Sequence, residues 1–355
     1  MKVKVAVGMS GGVDSSVAAW MLKKQGFDVI GLFMKNWDDS EDEYCPAEKD
    51  YQDALMVAET LKIPLYAFNF SKEYWNTVFH EFIEELKLGF TPNPDILCNR
   101  EIKFKVFFEK ALELGATFLA TGHYAKISKD FQLVKALDNT KDQTYFLYTL
   151  KQNILKKTLF PLGEFSKMAI RKIAQENNLI THDKKDSTGI CFIGKRNFKE
   201  FIKKYIPPKK GVFKTPTGKI VGEHEGACYY TIGQRKGLGI GGPGDAWFVI
   251  DKDIRSQDVI VVQGENHPLL YKSSLIATDL TWIGSPPHLP LKCSAKIRYR
   301  QIDEPCTITT IENNRAVVQF EKPQRAITPR QSIVFYQNQI CLGGGLIEGK
   351  VENEL

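Results

Sequence analysis

Residues 5–26 read VAVGMSGGVDSSVAAWMLKKQG. An apolar run over 3–7 stops at Gly8. After Ser10-Gly11-Gly12-Val13-Asp14-Ser15-Ser16 the apolar residues Val17, Trp20, Met21 and Leu22 recur at helical spacing. A strand, a tight glycine turn and a helix are therefore predicted in succession. Working outward, strands are predicted at 29–34, 65–70 and 118–120, with helices at 15–25, 47–61, 73–88 and 101–114. Such alternation implies an α/β domain with a mainly parallel sheet covered on both faces, whose ligands sit at the carboxyl ends of the strands.

Glycines between a strand and a helix N-terminus supply free backbone N–H groups and the positive end of the helix dipole, a site suited to phosphate. The turn lacks the lysine of a Gly-x-x-x-x-Gly-Lys-Ser/Thr loop, and no Gly-x-Gly-x-x-Gly fingerprint is present. Ser10, Ser15 and Ser16 add hydroxyl donors, Gly11 and Gly12 let the backbone approach a ligand, and Asp14 either caps the helix or holds Mg²⁺.

The texture changes beyond Pro207-Pro208-Lys209-Lys210-Gly211, which reads as a linker after helical patterns at 167–177 and 197–205. Short alternating strands follow at 247–250, 259–262, 295–299, 307–311, 316–320 and 333–336, separated by Gly, Pro, Asn and Asp. Three domains are expected: the α/β domain over 1–207, a small β-rich connector over 208–271 and a C-terminal β-barrel over 272–355. The loop GLGIGG at 237–242 precedes a strand, not a helix, so a structural or positioning role fits it better than phosphate binding.

With 43% hydrophobic and 25% charged residues among 355, the composition is that of an ordinary globular protein. No run of about 18 apolar residues and no signal-like segment is seen, so a cytoplasmic protein without membrane association is expected. The seven cysteines include no C-x-x-C pair, which argues against a disulfide framework or a structural zinc site and directs attention to reactive thiols. Net charge is +6, unevenly spread. Residues 38–53 hold eight Asp or Glu against one Lys, and residues 151–220 hold 17 Lys or Arg against 5 Asp or Glu. The basic block is where a polyanion would be drawn, if it is not simply a solvated face.

Two cysteines stand in distinctive settings. In TPNPDILCNREIKF, residues 91–104, two prolines stiffen the chain and Asp95 can cap a helix starting near Ile96. Cys98 would then lie close to the helix N-terminus, where the dipole favours thiolate. In KKDSTGICFIGKR, residues 184–196, Cys191 follows a small-residue turn that is expected to be mobile.

The loop at 10–16 resembles the PP-loop of ATP pyrophosphatases. FMKNW (33–37), TPNPDILCN (91–99), ATGHYA (120–125), KDQTYFLY (141–148), DSTGICFIG (186–194), GQRKGLGIGG (233–242), RYRQ (298–301) and CLGGG (341–345) extend the likeness along nearly the whole chain to the tRNA-specific 2-thiouridylase family. This resemblance implies ATP-dependent 2-thiolation of the wobble uridine of tRNA, releasing AMP and pyrophosphate. It implies that Gly8, Met9, Ser10, Gly11, Gly12, Val13, Asp14, Ser15, Met34 and Gly122 bind ATP with Mg²⁺. Cys191 would carry the persulfide and Cys98 would be the second catalytic thiol, leaving a Cys98–Cys191 disulfide. The persulfide attacking the uridine directly, with Cys98 resolving afterwards, is the alternative order.

The same resemblance gives Asp95 general acid/base work and places Asn93, Pro94 and Asp95 around the target base. It puts His123, Lys141, Asp142, Gln143, Arg298, Tyr299 and Gln331 on the tRNA. The expected partners are a tRNA anticodon loop and a persulfide sulfur-donor protein or cysteine desulfurase, acting with a monomeric enzyme. Where the family commonly has Thr-Pro-Gly-Gln, this chain has Thr328-Pro329-Arg330-Gln331. Arg tolerates positive φ poorly, so a changed turn is expected there. Arg298 and Arg300 are expected to share one face of a strand. Two other classes share the loop: a PP-loop ligase or amidotransferase, which needs an amine source instead of two thiols, and a non-catalytic tRNA binder, which would release no pyrophosphate.

Overall fold

The computed structural model describes residues 2–37, 46–185 and 198–349. Residues 38–45 of the acidic stretch, Cys45 among them, and the segment with Cys191 lie outside the described residues.

In the first part of the chain the strands are β1 (Lys4–Gly8), β2 (Asp28–Lys35), β3 (Leu65–Asn69), β4 (Phe118–Ala120), β5 (Lys126–Ile127), β6 (Leu133–Val134) and β7 (Thr158–Leu159). Five of them form a parallel sheet in the order β3-β2-β1-β4-β7. The period-two alternation of β1 divides its side chains between two cores. Val5 and Val7 join Val17 and Leu22 of helix α1 (Val13–Lys24) and Val57 of helix α2 (Pro46–Leu61), whereas Ala6 joins Tyr74, Phe79, Ile102 and Phe107 on the other face. The chain steps outward from β1 to β2 and β3, then returns to β4 on the far side of β1. The carboxyl ends of β1 and β4 therefore flank the topological switch point, where such sheets bind ligands.

A four-stranded sheet follows, made of β8 (Gly211–Lys214), β9 (Ile220–His224), β10 (Trp247–Asp253) and β11 (Asp258–Gln263) in the order β10-β11-β8-β9. The last six strands are β12 (Tyr271–Trp282), β13 (Leu291–Lys296), β14 (Glu304–Glu312), β15 (Arg315–Arg325), β16 (Ser332–Gln337) and β17 (Ile340–Ile347). They close into a barrel through the β12–β17 pairing. Its interior is filled by Ile297, Ile308, Val318, Ile333 and Phe335. The α/β domain followed by β-rich units is the fold class read from the sequence.

Several elements differ from expectation. Strand β17 contains Gly343-Gly344-Gly345, because it is squeezed between β12 and β16: a Cβ on Gly343 would lie 2.1 Å from the Thr281 carbonyl oxygen. The β5–β6 hairpin, which lies in the first part of the chain, pairs with β17 through Leu133↔Cys341 and Val134↔Ile340 and so extends the barrel sheet. Residues 298–300 form a turn after β13, not a continuation of it, so Arg298 and Arg300 do not alternate along a strand. No helix among the described residues is long and apolar enough to cross a membrane.

Candidate functional site

The glycine turn opens directly from β1 into α1. Ser15 Oγ accepts from the Ser10 N–H at 3.1 Å and lies 3.2 Å from Ser10 Oγ, which folds the loop back on the helix start. The Ser15 and Ser16 hydroxyls both donate to the Gly12 carbonyl, at 3.1 and 2.8 Å. The N-cap residue is Gly12, with no side-chain cap, so the first N–H groups of α1 are left for a ligand. Gly11 has φ +70, and a Cβ there would stand 2.2 Å from the Asp50 carbonyl oxygen. No other residue fits that position. Met9 is buried and Met34 half-buried at the adjacent strand ends.

Asp14 does not cap α1. Its Oδ1 accepts from Tyr124 Oη, and both of its oxygens accept from Lys167 Nζ, each at 2.8 Å. Lys184 Nζ donates to the Gly11 carbonyl at 2.9 Å, to Asp50 at 2.7 Å and to Asp53. Sequence reading missed both lysines, because they approach from more than 150 positions away. It also passed over Asn36, just past β2 inside FMKNW, whose buried amide nitrogen and oxygen have no hydrogen-bond partner among the described residues. Leaving such atoms unpaired costs on the order of 1–3 kcal/mol each, so the residue stands ready to bond a ligand.

Across the switch point, Gly122 follows β4 and packs on the helix start, where a Cβ would lie 2.9 Å from the Ser15 nitrogen. His123 is half-buried. Its Nδ1 is 2.7 Å from Thr121 Oγ1, and desolvation, aided by Lys103, pushes its pKa well below the usual histidine range. The neutral ring lies tilted against Phe104 and edge-on to Phe160. His123 is thus a neutral hydrogen-bonding group rather than a cation for phosphate.

Phe104 belongs to the helical segment that carries Cys98. Asn93, not Asp95, is the N-cap: its Oδ1 accepts from the Asp95 N–H at 3.1 Å, and Pro94 occupies the first helical position. The helix therefore starts at Pro94, runs to Leu97 and continues as a wider π-type turn over Cys98–Val106. Cys98 lies a full turn inside it, farther from the N-terminus than a start near Ile96 would put it, and is completely buried. Asn93 and Asp95 are half-buried, and Pro94 is buried.

The barrel clasps this arm. Gln331 Nε2 donates to the Thr91 carbonyl, and Arg330 pairs with Glu85. Arg330 has φ +64, so the turn keeps the left-handed conformation that a glycine would favour, with an ion pair holding the strained residue. Asn99 Nδ2 bonds the Phe146 carbonyl at 3.0 Å, and Phe146 packs on Tyr299 with ring centroids 4.3 Å apart. Tyr145 Oη donates to the Ser332 carbonyl at 2.9 Å, so residues 141–148 are the wedge between the arm and the barrel.

Several residues read as tRNA contacts are engaged inside the protein. Asp142 is buried and accepts from the Ala136 N–H and Thr144 Oγ1. Gln143 accepts from the Tyr124 N–H. Arg298 donates to the carbonyls of Ile232 and Ala326 and to Thr328 Oγ1, tying the four-stranded unit to the barrel. Beside them a cavity of about 1060 Å³ is lined by Lys135, Lys296, Tyr299, Arg300 and Tyr336; Lys135 and Lys296 are buried and paired with Asp303 and Asp142, and Arg300 is exposed.

Three family models tile the chain: a tRNA methyl transferase HUP domain over residues 3–195, a tRNA methyl transferase PRC-barrel domain over 199–263 and an aminomethyltransferase beta-barrel domain over 272–347. The tRNA-specific 2-thiouridylase MnmA of Protochlamydia amoebophila is 57% identical over 349 residues, 97% of this chain and 93% of that protein. The protein of the same name from Hydrogenovibrio crunogenus is 54% identical over 98% of this chain and 94% of its own length. With that identity over almost its full length, and with the glycine turn in place at the switch point, the chain belongs to the tRNA-specific 2-thiouridylase family.

Proposed function

We propose that the protein is an ATP-dependent tRNA-uridine 2-sulfurtransferase acting on the wobble uridine. The observation that carries this reading is the open N-terminus of α1 at the carboxyl end of β1, with serine hydroxyls folded back on it, across the switch point from His123, which packs near Phe104 of the helical segment that bears Cys98. The loop binds the β and γ phosphates, and Gly122 leaves room beside Asp14 and Ser15. No group of three or more His, Cys, Asp or Glu among the described residues could hold a metal, and Lys167 occupies both Asp14 oxygens. A Mg²⁺ accompanying ATP would supply charge neutralisation at the phosphates.

The uracil C2 oxygen is a poor leaving group. It attacks the α-phosphorus and displaces pyrophosphate, so that C2 carries an AMP leaving group. Sulfur delivered by a Cys191 persulfide then adds at C2 and AMP departs. In one order Cys98 thiolate attacks the inner sulfur of the persulfide and releases hydrosulfide, leaving a Cys98–Cys191 disulfide for a dithiol reductant. In the other the terminal sulfur attacks C2 and Cys98 resolves the resulting mixed linkage. Asn93, Pro94 and Asp95 line the base pocket, with Asp95 as acid/base. The base must leave its loop stack to enter, which costs less in an anticodon loop than in a duplex. Purified protein, ATP, a persulfide-loaded donor and unmodified tRNA should give 2-thiouridine at the wobble position with one pyrophosphate per thiolation. Thiolation without ATP, or at another nucleotide, would refute the reading.

A further inference from the structure

The Lys184 ammonium lies where three structural elements meet. It bonds the Gly11 carbonyl inside the glycine turn, and it bonds the carboxylates of Asp50 and Asp53, one turn apart on α2. Its own main chain is fixed by Arg171, which donates to the carbonyls of His182 and Lys184 at 2.9 and 3.0 Å. Burial disfavours the Lys184 charge, but the bonds from Asp50 and Asp53 outweigh it and raise the pKa, so the group is cationic throughout the neutral range.

Two consequences follow from this placement. A trans peptide holds its C=O and N–H in opposite directions, so a carbonyl of Gly11 anchored toward α2 turns the Gly12 N–H to the other side of the loop. That N–H has no acceptor among the described residues. Second, the turn touches the first part of α2, as the 2.2 Å approach to the Asp50 carbonyl by a Gly11 Cβ shows. Without a cation between them, two carboxylates would face a ligand carrying about four negative charges at short range.

We infer that Lys184 is a positioning residue for the triphosphate: it shields the ligand from Asp50 and Asp53 and holds the Gly11–Gly12 peptide with its N–H toward the phosphates. The inference rests on the reading of the loop as an ATP site. It assigns the effect to the β and γ phosphates, not to the adenosine.

The test is equilibrium binding of α,β-methylene-ATP and of AMP to the full chain, by calorimetry without tRNA. Lys184→Met should weaken the ATP analogue about tenfold or more and AMP by less than about threefold, and adding Asp50→Asn and Asp53→Asn should restore most of the loss. Equal losses for both nucleotides, or no recovery in the triple variant, would overturn the inference, since a merely structural role predicts both. Should Lys184→Met fail to fold, the Asp50→Asn/Asp53→Asn protein decides. With Lys184 unpaired beside the phosphates it should bind the analogue severalfold more tightly than wild type, and unchanged or weaker binding contradicts the proposal. If the wild-type chain binds neither nucleotide, the ATP reading itself fails and takes the inference with it.

Discussion

The nucleotide turn and the Cys98 arm lie on opposite sides of one switch point, yet they are held in opposite ways. The turn is set mainly by its own residues: Ser10, Gly12, Ser15 and Ser16 bond one another within five positions, and Tyr124, Lys167 and Lys184 add bonds from afar. The arm owes its position to distant segments, the barrel through Gln331 to Thr91 and Arg330 to Glu85 just before the arm, and residues 141–148 through Phe146 to Asn99. Local bonding makes the turn a pre-organised, autonomous binding element. Distant bonding makes the arm responsive to whatever the barrel binds. Nucleotide affinity and RNA-dependent chemistry should therefore be separable by mutation.

The sharpest separation is expected from Cys98→Ser. It should lower 2-thiouridine formation by about 10³-fold or more, while affinity for α,β-methylene-ATP stays within about twofold. Nucleoside mass spectrometry and calorimetry read the two arms. A comparable loss of nucleotide affinity would show that the two sides are not independent.

The converse lesion is Gly11→Ala. A Cβ at φ +70, 2.2 Å from a backbone oxygen, must displace the loop, so ATP affinity should fall about 10- to 100-fold with tRNA binding by gel shift nearly unchanged. Loss of tRNA binding in parallel would break the contrast from the other side.

Arg330→Ala attacks the clasp. It removes the partner of Glu85, a carboxylate whose pKa burial already raises despite Arg330. The protein should lose about 1–2 kcal/mol of stability at neutral pH and gain severalfold in KM for tRNA, with KM for ATP unaltered. Because the unpaired Glu85 can take up a proton, the stability deficit should shrink as pH falls through the acidic range. A deficit independent of pH would mean that the ion pair is not its source.

The smallest effect belongs to a region outside both. Lys252, on β10, is held by burial at a pKa of about 8, its ammonium bonding the Tyr230 carbonyl. Between that value and the ordinary lysine pKa near ~10.4 the unfolded chain binds more protons than the folded one, so stability rises with pH across this window. Lys252→Met should gain about 1 kcal/mol at pH 7 and abolish that rise, leaving both ligand affinities intact. Chemical denaturation at pH 7 and pH 10 checks it.

What was legible in the sequence follows the same division. The PP-loop and the β1–α1 unit are readable because their signals lie within a few residues and their apolar spacing matches one period. The clamps at Lys167 and Lys184 have no local signal, since a lysine beside a distant carboxylate looks like any surface lysine. Asn93 and Asp95 are both good capping residues, and Pro94 at the first helical position decides between them. Strand β17 hides behind its glycines, which are there for close strand approach and not for flexibility. Arg298 alternates with Arg300 on paper, but three oxygen acceptors from two neighbouring segments pull its guanidinium into a turn.

The proposed chemistry requires the uracil oxygen to leave as part of AMP. The direct measurement uses tRNA whose wobble uridine carries oxygen-18 at C2, incubated with the enzyme, ATP and a persulfide donor, with the products read by mass spectrometry. One oxygen-18 should appear in the phosphate of AMP for each 2-thiouridine formed. Label recovered in water or pyrophosphate, with unlabelled AMP, would contradict it.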